Sequence, residues 1–407
     1  MIDQHKAEVV IVGAGEAGAR CAIALRTRGF DGSLLLIGAE QVPTYERPPL
    51  SKAVLTRDIA ASPEVMGIDR AAALGIEMRL GTRVTAVDSA SHRVEFTDGS
   101  VHEYGTLVLA TGAQARRLGV PGGERALVLR TDDDATAIRS RLQSAQRLVV
   151  IGGGFIGLEV AASACRCGLD VTVIEAAPQL MGRAVPSAIA RRMHVRHEQA
   201  GVRILLERGV ASLEDDAVLL QDGERLPADL VVAGIGAIPD TALAEAAGLS
   251  IDNGIAVDSR LRTSAADIHA IGDCASFPHP IFGNRRIRLE SWRNACDMAE
   301  HLAGLLTGDD SDYAAIPWFW SDQHDLGLQI AGLPDRDTMA IERDLAEKGL
   351  IEIQLGADGR ITAAAGIGPG TSIARDIRLL EMLIARGSTP DPAALVDPAT
   401  SLRKLLR

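Results

Sequence analysis

Gly152, Gly154 and Gly157 stand at G-x-G-x-x-G spacing after the β-branched run Val149-Val150-Ile151, and the apolar run that follows them closes on an acid, Glu175. Each glycine has a physical reason to be there. The first permits a tight turn, the second lets backbone approach a pyrophosphate, and the third lets a helix pack closely on its strand. The first-turn N–H groups of that helix then face the phosphates, and Glu175 is placed to take the hydroxyls of an adenosine ribose. The same pattern appears earlier in the chain. Gly13, Gly15 and Gly18 follow the run Glu8–Val12, and the next apolar run, Leu34–Ile37, is followed by Glu40. Two dinucleotide sites imply one cofactor held permanently and one exchanged between turnovers. Their order in the chain does not say which is which.

Little else in the composition carries chemistry of its own. The five cysteines (Cys21, Cys165, Cys167, Cys274, Cys296) show neither zinc nor iron–sulfur spacing and no C-x-x-C redox pair, so no metal is expected. A formal net charge of −12 argues against nucleic acid as the main partner, while leaving room for a local basic patch. No apolar segment reaches membrane-spanning length and the chain opens directly into a strand, so a cytoplasmic, reducing location is expected and no membrane contact.

The elements that must position these residues follow from hydrophobic periodicity. At 407 residues the chain is too long for one ordinary core, and two or three domains are expected. Residues 8–40 read as a β-α-β unit with its helix over Ala17–Thr27. The double proline of Thr44–Lys52 (TYERPPLSK) should stiffen an extended loop that lines a cofactor ring or simply connects, with Ser51 starting the next helix. Val84, Val87, Val94 and Phe96 outline short strands around an Asp98-Gly99 turn. The buried strand Thr106–Ala110 ends at Thr111-Gly112. After a polar connection over Pro121–Asp134, the second unit repeats the plan: a β-α-β motif from Arg147, a basic helix over Val185–Gln199, an antiparallel insertion, and a strand ending at Gly234-Ile235-Gly236. The basic helix reads most simply as a solvated face. A strand over Ile268–Ile271 leads into Gly272-Asp273, an acid suited to a polyol or to a structural turn, and Ser291–Leu306 reads as a helix. Beyond Trp318-Phe319-Trp320, the remainder alternates in strand fashion through Gly327–Ala331, Met339–Arg343, Leu350–Leu355 and Ile361–Ala364 and ends in two helices near Ala374–Arg386 and Ala399–Leu406, an α+β domain of its own. The Trp cluster suits either a core or an interface. The expected fold class is therefore α/β, two Rossmann-like dinucleotide-binding domains of glutathione-reductase-like plan plus a C-terminal α+β domain.

Taken together, GAGEAG, YERPPLSK, the ATG of Ala110–Gly112, GGGFIGLE, AIGD and PWFWSDQ resemble the FAD-dependent NADH:ferredoxin reductases of bacterial aromatic-ring dioxygenase systems over essentially the whole chain. The likeness is nearest to the biphenyl dioxygenase reductase component, and putidaredoxin reductase and rhodocoxin reductase share the architecture. The resemblance implies a division: residues 1–112 and 239–315 would hold FAD, 113–238 NADH, and 316–407 would form an interface domain. It places Gly13, Gly15 and Gly18 on the FAD pyrophosphate, Glu40 on the adenosine ribose, and Asp273 on the ribityl–phosphate region. Arg47, Lys52 and Arg130 fall near the flavin or its phosphates. Val84, Thr111, Gly112, Gly236, Ser291 and Trp292 also belong to the cofactor-binding set, with Trp292 beside the flavin. On the NADH side stand Gly152, Gly154, Phe155, Ile156, Gly157, Glu175 and Arg183, and Glu175 would select NADH through the 2′-hydroxyl. Lys52, Glu159 and Trp320 are the expected catalytic residues: Glu159 pairs with Lys52 and meets the nicotinamide carboxamide, and Trp320 lies near the isoalloxazine. Two features depart from the family. Phe155 replaces a smaller valine and is expected to crowd or stack on the nicotinamide ring, and Gly366–Ser372 is unusually rich in glycine.

The reaction the resemblance implies is hydride transfer from NADH to FAD, followed by single electrons to a small acidic [2Fe–2S] ferredoxin that serves a Rieske-type oxygenase. No contact with the aromatic substrate is expected. Arg285, Arg286, Arg288 and Arg293 are candidates for a basic docking rim. Alternatives in the same fold are a rubredoxin or P450-ferredoxin reductase, an NADH oxidase, and a slow redox-sensing flavoprotein. The oligomeric state is left open.

Overall fold

The computed structural model describes residues 5–182, 184–334 and 338–406. The chain forms two compact units. One is built from the residues up to Glu46 with Pro63–Gln114 and Ile238–Ala315, the other from Arg47–Ser62, Ala115–Ala237 and Ile316 onward.

In the first unit β1 (His5–Val12) lies parallel to β2 (Leu34–Ile37) on one side and to Val101–Leu109 on the other. Ile76–Arg79 extends the sheet beyond β2, and Ile268–Ala270 pairs with Val101–Leu109. All four residues of β2 are buried, as parallel strands covered on both faces require. Helix α1 (Glu16–Thr27) and the helix Trp292–Leu306 pack together in this unit, and buried Val10, Ile11, Leu35, Leu36, Leu107 and Met298 form part of one apolar core.

The second unit repeats the parallel arrangement. Strand β3 (Arg147–Ile151) sits between β4 (Asp170–Ile174) and Leu230–Ala233, with Arg203–Leu205 beyond β4. Helices α2 (Phe155–Arg166) and α3 (Ser187–Gln199) belong to it. So does an antiparallel five-stranded sheet that begins with β5 (Trp318–Gln323), runs in the order β5, Leu326–Gly332, Ile361–Pro369, Leu350–Leu355, Met339–Asp344, and carries the helix Ala374–Ala385 on its second and third strands. The glycines at 366 and 368 lie within one of these strands and answer to packing. A Cβ at Gly366 would meet the side chains of Ile351, Ile373 and Ile377 at 3.1–3.2 Å.

Three local expectations are corrected. Ser51 does not open a helix, because residues 48–57 form a run of turns and its hydroxyl is used elsewhere, as described below. The polar connection runs at its end into a helix from Asp132 to Leu142, opened by a capping box in which Thr131 and Asp134 bond each other's backbone N–H groups. The final helix over 399–406 is replaced by a short helix Pro392–Val396 and a 3-10 turn over Leu402–Leu406. Buried Arg343 explains that last difference. Its guanidinium collects the carbonyls of Leu395 (3.0 Å), Asp397 (2.7 Å), Pro398 (3.3 Å) and Thr400 (2.8 Å), turning them away from any helical ladder.

Candidate functional site: two glycine cradles and a buried carboxylate

Both glycine motifs fold into the same device. Gly13 (φ +115°) and Gly152 (φ +105°) adopt conformations that side chains rarely take, at the point where each strand turns into its helix. A Cβ at Gly152 would stand 2.5 Å from the Gly234 carbonyl oxygen. At Gly18 and Gly157 a Cβ would fall well inside contact distance of the carbonyls of Gly13 and Gly152, so helix and strand approach as closely as backbone allows. The middle glycines differ: Gly15 has nothing within 4 Å of its missing Cβ, and Gly154 only a carbonyl at 3.8 Å. Gly15 and Gly154 are also the N-caps of α1 and α2, and neither helix start has a side-chain capping bond. The helices starting after Ser291 and Thr131 are capped by those hydroxyls. Open space in front of uncapped N–H groups suits a diphosphate, once in each unit.

The acids beyond the second strands are engaged as well. Glu175 accepts the Gly153 N–H (2.7 Å) and the Ala177 N–H (2.8 Å), and so ties the end of β4 to the glycine loop. Glu40 accepts the Tyr45 hydroxyl at 2.6 Å. In the first unit Thr111 Oγ1 donates to the Asp240 carbonyl (2.6 Å), next to Gly112 in its left-handed conformation. Asp273 lies in a 3-10 turn whose backbone carbonyl accepts from Arg288, and Val84 is buried at the start of its strand. Ser291 acts as an N-cap, accepting the Asn294 N–H at 3.1 Å. Trp292 follows it, with the Arg20 guanidinium 5.9 Å from its ring centroid. That arginine also holds the buried Glu16 carboxylate at 2.8 Å, a pairing the sequence did not single out. Burial, the largest influence, pushes the Glu16 carboxyl up.

The second unit contains a buried carboxylate with several partners. Glu159, on α2, is 4% exposed and accepts from three side chains: Lys52 Nζ at 3.0 Å, Ser51 Oγ at 2.5 Å and Ser321 Oγ at 2.6 Å. The expected Lys52–Glu159 pair is present, and the two serines are additions. Three positions on α2 at i, i+4 and i+7 hold the segment 47–62: Glu159 takes Ser51 Oγ, Ser163 Oγ donates to the Ser51 carbonyl (2.7 Å), and Arg166 pairs with Asp58 (2.8 Å). Arg47 Nη1 donates to the Arg130 carbonyl, and the Arg130 N–H to Asp134.

Strand β5 faces two ways, with the period of two that a strand imposes. Trp318 and Trp320 stack on each other, ring centroids 5.3 Å apart. The alternate residues are Phe319, Ser321 and Gln323. The Phe155 ring, expected beside the nicotinamide, packs on Phe319 of β5 with ring centroids 4.4 Å apart. Ile156 beside it is 45% exposed. Gly236 (φ +100°) has no atom within 4 Å of its missing Cβ. Arg183 lies outside the described residues.

One further expectation changes. The basic helix α3 is not a simple solvated face. His197 is fully buried and bonded to Gln323 (2.8 Å), and Arg196 pairs with Asp325 (2.5 Å). Of the four rim arginines, Arg286 donates to the carbonyls of Val257 and Ser276, Arg288 pairs with Glu290, and Arg293 pairs with Asp297. Arg285 and Arg286 are both exposed, whereas Arg288 and Arg293 are half-buried. All five cysteines are free. Burial pushes the Cys21 and Cys296 thiols up to about 12 and raises those of Cys274 and Cys167, so none of these four offers a ready thiolate.

Comparison with known proteins accords with this geometry. Residues 7–299 match the family described as pyridine nucleotide-disulphide oxidoreductase, and residues 318–406 match the reductase C-terminal family. The chain belongs to the pyridine nucleotide-disulphide oxidoreductases, with the α/β fold of that family and the reductase C-terminal domain. Membership implies FAD and NAD(P)H binding, which the two open cradles fit. The chain is 42% identical to the ferredoxin–NAD(+) reductase component of the anthranilate 1,2-dioxygenase system of Burkholderia cepacia, covering 98% of each chain. It is 40% identical to rhodocoxin reductase of Rhodococcus erythropolis, over 96% of this chain and 92% of that one. Among solved structures, that of the covalent putidaredoxin reductase–putidaredoxin complex matches with a TM-score of 0.93 at 37% identity, covering 99% of this chain and 98% of that one. No helix among the described residues is long and apolar enough to cross a membrane.

Proposed function

We propose that this chain is an NADH:ferredoxin oxidoreductase, the flavoprotein that feeds a small acidic [2Fe–2S] ferredoxin serving a Rieske-type aromatic-ring oxygenase, with the biphenyl system as the particular candidate. The observation that carries the reading is the duplicated cradle, an open glycine in front of an uncapped helix in each unit, on a chain whose relatives of that activity match it end to end. When bound, NADH supplies a hydride and FAD accepts it, and the flavin then releases the electrons singly.

The protein's part is to bind and to align. Gly13, Gly15, Gly18 and the α1 N-terminus take the FAD diphosphate, with Glu40 and Asp273 on its hydroxyls. Arg47, Lys52, Arg130 and Trp320 keep the flavin-side roles that the family resemblance gives them. Gly152, Gly154, Gly157 and the α2 N-terminus take the NADH diphosphate. Glu175 favours NADH because a 2′-phosphate would bring like charges together. Glu159 changes partners from Lys52 to the nicotinamide carboxamide. On this assignment residues 1–112 and 239–315 are the FAD domain and 113–238 the NADH domain.

Anaerobic titration of the purified protein with NADH tests the reading. The yellow oxidised flavin spectrum should bleach, and addition of a [2Fe–2S] ferredoxin should restore it. Colourless protein that cannot be reconstituted with FAD overturns the proposal.

A further inference from the structure

From Glu159 a single file of hydrogen bonds runs along β5 to α3. Ser321 Oγ, fully buried, lies 2.6 Å from Glu159 Oε1; Gln323 Nε2 lies 3.0 Å from Ser321 Oγ; His197 Nε2 lies 2.8 Å from Gln323 Oε1; and His324 Nε2 lies 3.2 Å from His197 Nδ1. Every member but the last is buried, and all belong to one compact unit.

Proton counting gives the file a direction. A serine hydroxyl has one proton and a carboxylate has none, so the 2.6 Å contact requires Ser321 to donate to Glu159. Ser321 must then accept from its other neighbour, which turns the Gln323 amide with its NH₂ toward the serine and its oxygen toward His197. That oxygen requires the Nε2–H tautomer of His197, whose Nδ1 is left to accept from His324. The reversed file is equally well connected from His324 to Ser321, but it spends the serine proton on Gln323 and sets an oxygen lone pair against the carboxylate. The carboxylate therefore sets the sense of the file, the Nε2–H tautomer of His197 is the one that preserves it, and donors polarised in one sense reinforce each other.

We propose that Ser321, Gln323 and His197 are positioning residues for Glu159: His197 locks the Gln323 amide, the amide reserves the Ser321 proton for Oε1, and Oε1 is thereby held at the place where it also meets Lys52. Nothing in the glycine motifs or in the Lys52–Glu159 pair requires this line. It rests on the reading that Glu159 meets the nicotinamide, because only then does its placement reach the cofactor.

The test uses the flavin-loaded protein and equilibrium binding of NAD⁺, together with ¹⁵N NMR of the histidine rings. Wild-type His197 should be the Nε2–H tautomer. Ser321→Ala and His197→Leu should each weaken NAD⁺ binding about tenfold, the order of one charge-assisted hydrogen bond, and raise KM for NADH more than they lower kcat. His197→Gln, whose amide N–H can replace Nε2–H, should bind within about twofold of wild type. An Nδ1–H tautomer in the wild type overturns the proposal. So does unaltered binding by Ser321→Ala beside impaired binding by Glu159→Gln, which leaves the role of Glu159 standing. Unaltered binding by Glu159→Gln overturns that role as well.

Discussion

Removing the imidazole of His197 should abolish a specific loss of stability in acid. Burial, reinforced by the charges of His324, Arg196 and His194, holds this ring at about 4 against an ordinary value of 6.5, although the bond to Gln323 works the other way. The folded state thus keeps His197 neutral over a range in which the unfolded chain binds a proton. Where the unfolded state binds more protons, stability rises with pH. The contribution is therefore undiminished above 6.5, falls as the pH drops toward 4, and is constant below. The difference between 6.5 and about 4, at about 1.4 kcal/mol per pH unit, sets the full loss at roughly 3 kcal/mol, of which about 2 kcal/mol is spent by pH 5. Other buried histidines, His269 and His279 among them, titrate in the same sense, so the informative quantity is a difference between proteins. Amide hydrogen exchange of Trp318–Gln323, compared between wild type and His197→Gln at pH 7 and again at pH 5, removes the intrinsic pH dependence of exchange. At pH 5 the wild type should have lost about 2 kcal/mol of protection relative to the variant. Identical pH dependence in the two proteins refutes the argument that burial of this ring controls its protonation.

The two cradles should fail separately. Gly18→Ala should lower flavin retention with little effect on NAD⁺ affinity, and Gly157→Ala should do the reverse, as read by flavin absorbance and equilibrium binding. Glu175→Gln should shift the kcat/KM preference for NADH over NADPH by about tenfold toward NADPH, through loss of one like-charge repulsion. Arg343→Met strips a buried cation from four carbonyls and should destabilise the C-terminal segment by about 3 kcal/mol, seen as faster limited proteolysis beyond Pro392. Arg285→Glu should slow ferredoxin reduction more than ferricyanide reduction. Arg288→Glu, which loses the bonds to Glu290 and the Asp273 carbonyl, should lower stability instead, with a reduced Tm.

The parts of this molecule that were legible in the sequence are those whose cause is local. A strand, three glycines at fixed spacing, a helix and a terminal acid are consecutive, so both cradles follow from residue order. The segment 47–62 contains a double proline, local information that predicts an extended loop over Thr44–Lys52. Its turns are fixed by Glu159, Ser163 and Arg166, more than 100 positions away, and no spacing rule reaches that far. Charge shows the same division. The Arg293–Asp297 pair is spaced i, i+4 on one helix and is local, whereas the Ser276 and Asp273 carbonyls that take Arg286 and Arg288 are contributed by the fold. His197 looked like one basic residue on a basic helix. Its partner Gln323 is 126 residues distant, and only the packing of α3 in the same unit as β5 makes it part of the line that ends on Glu159. A buried polar group costs stability unless it is bonded. Glu159, Ser321, Gln323 and His197 are acceptable in the interior because each satisfies the next, so the burden of keeping that carboxylate in place falls on residues that no motif identifies.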